Sequence, residues 1–201
     1  MKGNNVLGLI YADAHSVCID QLTALRTMGS VPFGGRYRLI DFPLSNMVNS
    51  GVSEVGVITR SNYQSLLDHV GSGREWDLAR KNGGLHLLPP FSHVASGMYR
   101  GRLEALYGVW DFIKTSDADY VILSDCDVVA NMDYSDVIDK HIETMADITV
   151  IYAKDVLSLE QSQNSTIIGV NDDGRVNDVL LSPQMSGACN LSLNMFVLSK
   201  E

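Results

Sequence analysis

Two aspartates one residue apart are the clearest candidate for metal chemistry in this 201-residue sequence. Asp125 and Asp127 follow residues 120–123, a short apolar run that predicts a buried strand. Carboxylate oxygens are the ligands that Mg²⁺ prefers, so a pair at a strand end can hold the ion against a nucleotide diphosphate. The alternative is turn chemistry, in which each aspartate accepts hydrogen bonds from neighbouring backbone amides.

The glycines and arginines at positions 34–38 are a second candidate, for binding phosphate groups. Gly34 and Gly35 let a backbone approach a ligand closely, and Arg36 and Arg38 can each bind phosphate oxygens with two N–H groups. Gly-Gly turns are common in proteins, so a tight turn with solvated arginines is the alternative.

Tyr99, Arg100 and Gly101 form a third candidate, because they immediately precede the strongest predicted helix, residues 102–115. Free N–H groups at a helix N-terminus, with arginines nearby, make a natural anion site. The alternative is a loop whose charged residues are simply solvated. The helix is predicted from apolar residues at helical spacing, namely Leu103, Leu106, Tyr107, Trp110 and Ile113.

Predicted strands alternate with predicted helices along most of the chain. The strands are at 6–12, 55–59, 85–88, 120–123, 148–153, 166–170, 176–181 and 191–198; the helices are at 41–50, 62–70, 102–115 and 133 to about 145. Residues 71–84 and 155–165 are predicted to be irregular, and 166–181 to be a hairpin.

This alternation predicts an α/β fold with a mostly parallel sheet between helices. Ligands of such sheets bind beyond the carboxyl ends of the strands. We therefore expect the site to lie after residues 12, 59 and 123.

Composition narrows the functional classes. The chain is long enough for one or two domains at ~150 residues each, and no apolar run approaches the ~20 residues of a membrane span. The N-terminus lacks the pattern of a signal peptide, and three well-separated cysteines favour a reducing compartment, so we expect a cytoplasmic protein.

The charge is unevenly distributed around a formal net value of −9. Residues 1–102 hold ten Lys or Arg against seven Asp or Glu, whereas residues 103–201 hold five against 17. The acidic second half argues against nucleic-acid binding, while the first half can still carry a local anion site. The sequence contains no GxxxxGK[ST], GxGxxG, GxSxG, HExxH or CxxC motif, which argues against the corresponding enzyme classes.

Four segments, in this order, resemble glucose-1-phosphate adenylyltransferases of bacterial glycogen synthesis. They read VPFGGRYRLIDFPLSNMVN at 31–49, VGVITR at 55–60, YRG at 99–101 and VILSDCDVVANMDY at 121–134. The resemblance extends over residues 6–198. The opening NVLGLIYAD at 5–13 is most similar to the GlgD-type subunit rather than to the catalytic GlgC-type subunit.

The resemblance implies a Rossmann-like, GT-A-like nucleotidyltransferase domain over residues 1–201, without the left-handed β-helix domain that follows it in the family. The family joins ATP and glucose 1-phosphate, with Mg²⁺, into ADP-glucose and pyrophosphate. The implied ligand-binding residues are Gly34, Gly35, Arg36, Arg38, Tyr99, Arg100, Gly101 and Gly169; the implied metal ligands are Asp125 and Asp127. The implied partners are a catalytic subunit, in a hetero-oligomer, and an anionic effector.

Five positions depart from the family pattern. The glycine-rich phosphate loop is replaced by Ala-Asp-Ala-His-Ser at 12–16, and the family lysine falls at or near Met28. Arg102 replaces a threonine, one residue is inserted around Asp125 and Asp127, and a Glu-Lys pair that contacts the sugar becomes Leu-Ser at 181–182. If Asp13 lay ~4 Å from a phosphate, repulsion would be about 4 kcal/mol, or roughly a thousandfold in affinity.

Two functional hypotheses follow from these departures. The first is a non-catalytic subunit, in which Asp125 and Asp127 are vestigial, that regulates a catalytic partner. The second is an active sugar-phosphate nucleotidyltransferase with a rearranged phosphate-binding loop. An unrelated α/β binding domain is a third alternative.

Overall fold

An eight-stranded mixed sheet organises the chain, and a separate two-stranded hairpin lies apart from it. The computed structural model describes residues 6–13, 19–90, 99 and 101–200. The strands are β1 (Val6–Tyr11), β2 (Pro32–Phe33), β3 (Tyr37–Arg38), β4 (Glu54–Ile58), β5 (Gly84–Leu88), β6 (Tyr120–Asp125), β7 (Ile148–Leu157), β8 (Thr166–Val170), β9 (Val176–Leu181) and β10 (Gly187–Ser199). The helices are α1 (Asp20–Thr23), α2 (Asp41–Asn49), α3 (Gln64–Val70), α4 (Arg102–Gly108), α5 (Trp110–Thr115), α6 (Tyr134–Thr144) and α7 (Leu159–Ser162).

The strand order of the large sheet is β5-β4-β1-β6-β10-β8-β9. Strand β7 pairs with β10 along the edge opposite to the one that contacts β6 and β8. Strands β5, β4, β1 and β6 pair in parallel. Strand β10 runs antiparallel to β6, β7 and β8, and β8 pairs with β9 as the predicted hairpin. The predicted α/β architecture is confirmed, with the parallel pairing confined to the first four strands in space.

The parallel strands are buried because helices cover both of their faces. All six residues of β1 are buried, as its continuous apolar sequence predicted. Since side chains alternate along a strand, Ile10 packs with α2, α3 and α6, whereas Leu9 packs with α4 and α5. The two faces of one strand therefore belong to two separate apolar clusters.

The prediction of one continuous helix over 102–115 is wrong, because the helix is interrupted at Val109. Helix α4 ends at Gly108 and α5 begins at Trp110. A Cβ at Gly108 would lie 2.6 Å from the ring of Tyr99, so the packing of that ring requires glycine there. Glycine is a poor helix former, which weakens the helix at this point.

The connection predicted at 155–165 is also wrong, because β7 continues to Leu157 and α7 follows it. Ser158 and Gln161 form a capping box, in which the serine side chain accepts from the backbone N–H of Gln161. The strand predicted at 191–198 is longer and begins at Gly187. Strands β2 and β3 and helix α1 lie in a segment for which the sequence predicted no regular structure.

Apolar side chains remain exposed on part of the surface. Leu103 and Tyr107 of α4 are 83% and 76% exposed, and Trp110 of α5 is half exposed. All residues of β9 are exposed as well. Of the helices in the described parts of the chain, none has the length and apolar character needed to cross a membrane.

Candidate functional site

The carboxyl ends of β4, β1 and β6 lie side by side, as predicted for a ligand-binding edge. The pairing register places Tyr11 opposite Ile58 on one side and Asp125 on the other. The residues just beyond these positions, Asp13 after β1 and Arg60 after β4, therefore lie near Asp125. We call Asp13, Arg60, Arg102 and Asp125, together with Tyr11, the strand-end cluster.

Asp125 is held by an arginine from the first turn of α4. Both carboxylate oxygens accept hydrogen bonds from the guanidinium of Arg102, and the Nε···Oδ1 distance is 3.0 Å. The Asp125 side chain is 1% exposed, whereas that of Arg102 is one-third exposed. A two-pronged contact of this kind is among the strongest that a carboxylate makes, and it neutralises the buried charge.

Asn194 contributes a third oxygen to the same guanidinium. Its Oδ1 lies 3.5 Å from Nη1 of Arg102. Asn194 has a positive φ of 54° and lies at the irregularity in β10, where the pairing with β7 shifts between Ser192 and Met195. The bulge redirects the strand locally, and it brings a side-chain carbonyl from β10 to the arginine that binds β6.

Asp13 lies close to polar groups of the protein itself. Its carboxylate is near the backbone N–H of Met28 and the guanidinium of Arg60. Burial raises the pKa of Asp13 above its ordinary value, an effect that the Arg60 charge and the backbone N–H of Met28 oppose. The sequence left open whether this aspartate turns away from a ligand, and the structure places it beside these groups.

Tyr11 lies among all four charges of the cluster. Burial raises the pKa of its phenol; Arg60 and Arg102 lower it, whereas Asp13 and Asp125 raise it further. Two cationic and two anionic side chains therefore surround one phenol, and with all four charged their sum is zero. A site of this kind offers a triphosphate little net attraction.

Two polar atoms at the end of β4 are buried without a hydrogen-bond partner in the described structure. They are Oγ1 of Thr59, a residue with no exposed surface, and Nε of Arg60. Buried polar atoms are usually satisfied, so their position beside Asp13 marks this end of the sheet as polar rather than as ordinary core.

The predicted phosphate-binding glycines form the turn of the β2–β3 hairpin. Gly34 and Gly35 have φ values of +61° and +76°, which glycine adopts without strain. Arg36 is exposed in this turn. Arg38 is half-buried, and its Nη1 donates to the carbonyl and hydroxyl oxygens of Ser65 on α3, the latter at 2.8 Å.

The remaining predicted ligand residues lie in different surroundings. Tyr99 is 2% exposed and belongs to the apolar cluster beneath α4 and α5. Gly101 is the exposed N-cap residue of α4, a helix of only seven residues. Gly169 lies in β8 opposite Asp178 of β9, where a Cβ would collide with Asn177. Arg100 lies outside the described residues.

Asp127 and the other departures from the family pattern can also be placed. Asp127 follows β6 and is half-buried. Met28 is buried in the cluster under α2 and α3, so an apolar core residue stands where the family lysine was expected. Leu181 ends β9 and is 74% exposed, and Ser182 follows it with a φ of 49°.

A family model decides the identity of the fold. The model described as nucleotidyl transferase matches residues 20–179, most of the chain. The chain belongs to the nucleotidyl transferase family.

Curated relatives of this nucleotidyl transferase are named glucose-1-phosphate adenylyltransferase. The protein from Pseudothermotoga lettingae is 39% identical over 194 residues, which cover 96% of this chain and 46% of the relative. The protein from Clostridium perfringens is 32% identical over 200 residues, covering 99% of this chain and 51% of the relative. The resemblance found in the sequence is confirmed, and the chain spans about half the length of these relatives.

A solved structure shares the fold of this nucleotidyl transferase. It is a putative glucose-1-phosphate thymidylyltransferase from Bacillus anthracis, crystallised in complex with sucrose. The TM-score is 0.76 at 12% sequence identity, and the match covers 97% of this chain and 72% of that one. Identity at this level supports the shared fold and nothing finer.

The residues present at the end of β6 do not fit a divalent metal ion. Both oxygens of Asp125 already bind the guanidinium of Arg102. Among the residues that the structure describes, no group of three or more His, Cys, Asp or Glu side chains is arranged to hold a metal. The carboxylate that the sequence singled out for Mg²⁺ is thus engaged by a cation of the protein itself.

Sequence reasoning missed three members of this site. Arg60 directly follows Thr59, one of the strand ends that the fold rule had pointed to, so that rule could have found it. Tyr11 lay inside an apolar run and read as core. Asn194 lay inside a predicted strand, and no signal in the sequence indicated the bulge that turns it towards Arg102.

Proposed function

We propose that this chain is the nucleotidyltransferase-like part of a non-catalytic subunit of glucose-1-phosphate adenylyltransferase, acting in the bacterial cytoplasm. The assembled enzyme would join ATP and glucose 1-phosphate into ADP-glucose and pyrophosphate. In this proposal the chemistry belongs to a catalytic GlgC-type partner, and this subunit adjusts the activity of the hetero-oligomer.

The observation that carries the proposal is the internal neutralisation of the strand-end cluster. Nucleotidyl transfer requires positive charge, from a metal or basic groups, where negative charge develops at the transferred phosphorus. Here Asp125 pairs with Arg102, and Asp13 lies near Arg60. Among the residues that the structure describes at this edge of the sheet, the charges of the two arginines are therefore balanced by those of two nearby carboxylates.

Turnover by the separate and combined subunits tests the proposal. The full-length protein is assayed for pyrophosphorolysis of ADP-glucose with Mg²⁺, alone and with the catalytic subunit. We expect background rates alone, and a changed rate or effector response in the mixture relative to the catalytic subunit with an inert protein. Turnover by the isolated protein at ordinary enzymatic rates would overturn the proposal and favour an active enzyme with a rearranged loop.

Nucleotide affinity tests the role of Asp13 separately. Calorimetry of the wild-type protein with Mg-ATP should show no binding at micromolar concentrations. Asp13→Asn removes a charge worth up to about 4 kcal/mol at 4 Å from a phosphate, so we expect the affinity to rise at least tenfold. Asp172→Asn, in the exposed turn between β8 and β9, is the matched control and should change nothing.

An anionic effector of the assembly would have Arg36 as its most accessible contact. Arg36 is exposed, whereas Arg38 already donates to Ser65. With inorganic phosphate as the probe, Arg36→Ala should weaken the response of the mixed assembly roughly tenfold, the loss of one charge-assisted hydrogen bond. Arg175→Ala, in the β8–β9 turn, is the control. An equal response in both variants would mean that Arg36 is a solvated turn residue and does not bind the effector.

A further inference from the structure

A single asparagine in the sequence is followed by glycine. It is Asn82, which precedes Gly83, whereas every other asparagine precedes a residue with a side chain. The backbone nitrogen that follows an asparagine can attack Cγ of that asparagine and close a five-membered succinimide ring. Because glycine places no side chain over this nitrogen, the attack is least hindered at position 82.

The loop before β5 exposes this pair of residues. Residues 81–83 lie outside the helices and strands, and Asn82 is exposed. Among the residues that the structure describes, none accepts a hydrogen bond from the N–H of Gly83, whereas the N–H of Gly84 donates to the carbonyl of Ser53 at 2.7 Å. Exposed loop backbone changes conformation at little cost in free energy, and ring closure requires such a change.

The fold also requires the glycine at position 83. Its φ is +74°, and a Cβ there would lie 2.7 Å from the carbonyl oxygen of Ser53, the residue before β4. A side chain at this position would therefore strain the backbone and collide with Ser53. The close approach of the two chains where β4 and β5 begin thus keeps a glycine after Asn82.

Asn131 provides a contrast within the same chain. It is exposed and lies in the irregular segment between β6 and α6. The residue that follows it, Met132, carries a side chain, and its N–H donates to Oδ1 of Asn46 at 3.3 Å. The nitrogen that would attack Asn131 is therefore both shielded and held.

We propose that Asn82 is a site of spontaneous deamidation, through a succinimide, in the folded protein. The backbone nitrogen of Gly83 forms a bond to Cγ of Asn82, the Cγ–Nδ2 bond breaks, and ammonia leaves with the proton of the Gly83 N–H. Water then opens the ring at either of its carbonyl carbons. Opening at Cγ leaves an aspartate, whereas opening at the backbone carbonyl leaves an isoaspartate, in which the main chain runs through Cβ.

The modification changes the start of β5. Both products carry a new negative charge, and isoaspartate also adds one atom to the main chain ahead of Gly83. Since Gly83 and Gly84 lie against Ser53, the added atom should loosen the pairing of β5 with β4, which begins at Glu54 and Gly84. This inference goes beyond the proposed function and does not depend on it.

Peptide mapping of the full-length protein by mass spectrometry tests the proposal. During incubation at mildly alkaline pH, the peptide that holds Asn82 should gain the mass difference between NH₂ and OH and separate into aspartyl and isoaspartyl forms. Because loop opening costs little, its rate in the folded protein should lie within about tenfold of the rate in urea. It should exceed the rate at Asn131 by more than about tenfold. Asn82→Gln, which would have to close a larger ring, is the matched variant and should stay unmodified.

Hydrogen exchange gives a second readout, at the backbone amides of β5. Wild-type protein that has been incubated should exchange faster there than fresh protein. Asn82→Gln protein incubated in the same way should exchange as the fresh protein does, because its main chain is unaltered.

Several outcomes would overturn the proposal. Deamidation at Asn82 that is no faster than at Asn131 would do so, as would a rate in the folded protein far below the rate in urea. A product with aspartate but no isoaspartate would indicate direct hydrolysis and contradict the succinimide. Equal exchange in the incubated wild type and variant would contradict the loosening of β5. None of these results bears on the partner role, which is tested by turnover of the mixed subunits.

Discussion

The two halves of the large sheet differ in how they are covered. On one side of β10 lie the parallel strands, where β1 is buried throughout and five of the six residues of β6 are buried. In the rest of the sheet, every residue of β9 is exposed, as are five of the ten residues of β7. Helices α2 to α6 supply the two apolar clusters around the parallel strands.

This difference shows that an apolar strand sequence does not by itself predict burial. The segment at 176–181 holds four apolar residues and forms the strand that its sequence predicts, yet all of them are exposed. Strand β1 differs from it because helices cover both faces of β1. The strand-end cluster lies in the covered half, where low solvent access strengthens each charge pair.

Truncation of one leucine in each half should give the largest contrast. Leu9 in β1 has no exposed surface, so Leu9→Ala should lower the free energy of unfolding by about 2–5 kcal/mol. Leu181→Ala in β9 should lower it by less than about 0.5 kcal/mol. Urea denaturation measures both. Equal losses would mean that another part of the full-length protein covers β9.

The pH dependence of stability should report on the contact between the two halves, where α6 covers β7 and β10. His141 of α6 is buried, with Nδ1 2.7 Å from Oγ1 of Thr149 and Nε2 3.1 Å from Oγ of Ser199. Burial lowers the pKa of His141 below its ordinary 6.5, an effect that Asp147 opposes. The native state therefore binds fewer protons than the unfolded state just below pH 6.5.

The contribution of His141 should accordingly be fully present above pH 6.5 and lost as the pH falls towards the native pKa. The slope can reach about 1.4 kcal/mol per pH unit. The difference in unfolding free energy between wild type and His141→Gln, measured from pH 7.5 to 5, should shrink as the pH falls. A difference that stays constant over this pH range would show that protonation of His141 is not linked to stability.

The smallest global effect is expected at the β8–β9 turn. Gly174 has a φ of +83°, so Gly174→Ala should cost about 1 kcal/mol locally. We expect faster hydrogen exchange in β8 and β9 with a change in global unfolding free energy below about 0.5 kcal/mol. Asp172→Ala in the same turn is the control. A global loss equal to the local one would show that the hairpin unfolds together with the parallel strands.

The sequence predicted the elements whose signals are local. Strands β1 and β6 were predicted from continuous apolar runs, and helix α6 from Asp133, whose side chain does accept a hydrogen bond from the N–H of Ser135. The local signal for α7 was present too, as Ser158 and Gln161 at capping-box spacing. The polar composition around them concealed it.

The candidate site was only partly predictable, because its contacts join residues that are distant in the sequence. The strand-end rule pointed to the positions after β1, β4 and β6, and the strand order places these three strands side by side. The pairing of Arg102 with Asp125 joins positions 23 residues apart, and that with Asn194 joins positions 92 apart. Tyr99 shows a second reason, since a residue that was predicted to bind a ligand is packed in the core.

The long strand β7 has a consequence for self-association. Within the described parts of the chain, β7 pairs only with β10, which leaves one edge of a ten-residue strand open. Open edges invite pairing with other chains and are often protected by charged side chains. Lys154 and Asp155 lie side by side in this strand, and the Asp155 carboxylate accepts the backbone N–H of Val156 at 2.7 Å. Because charged side chains disfavour pairing with another chain, we expect Lys154 and Asp155 to work against aggregation through β7.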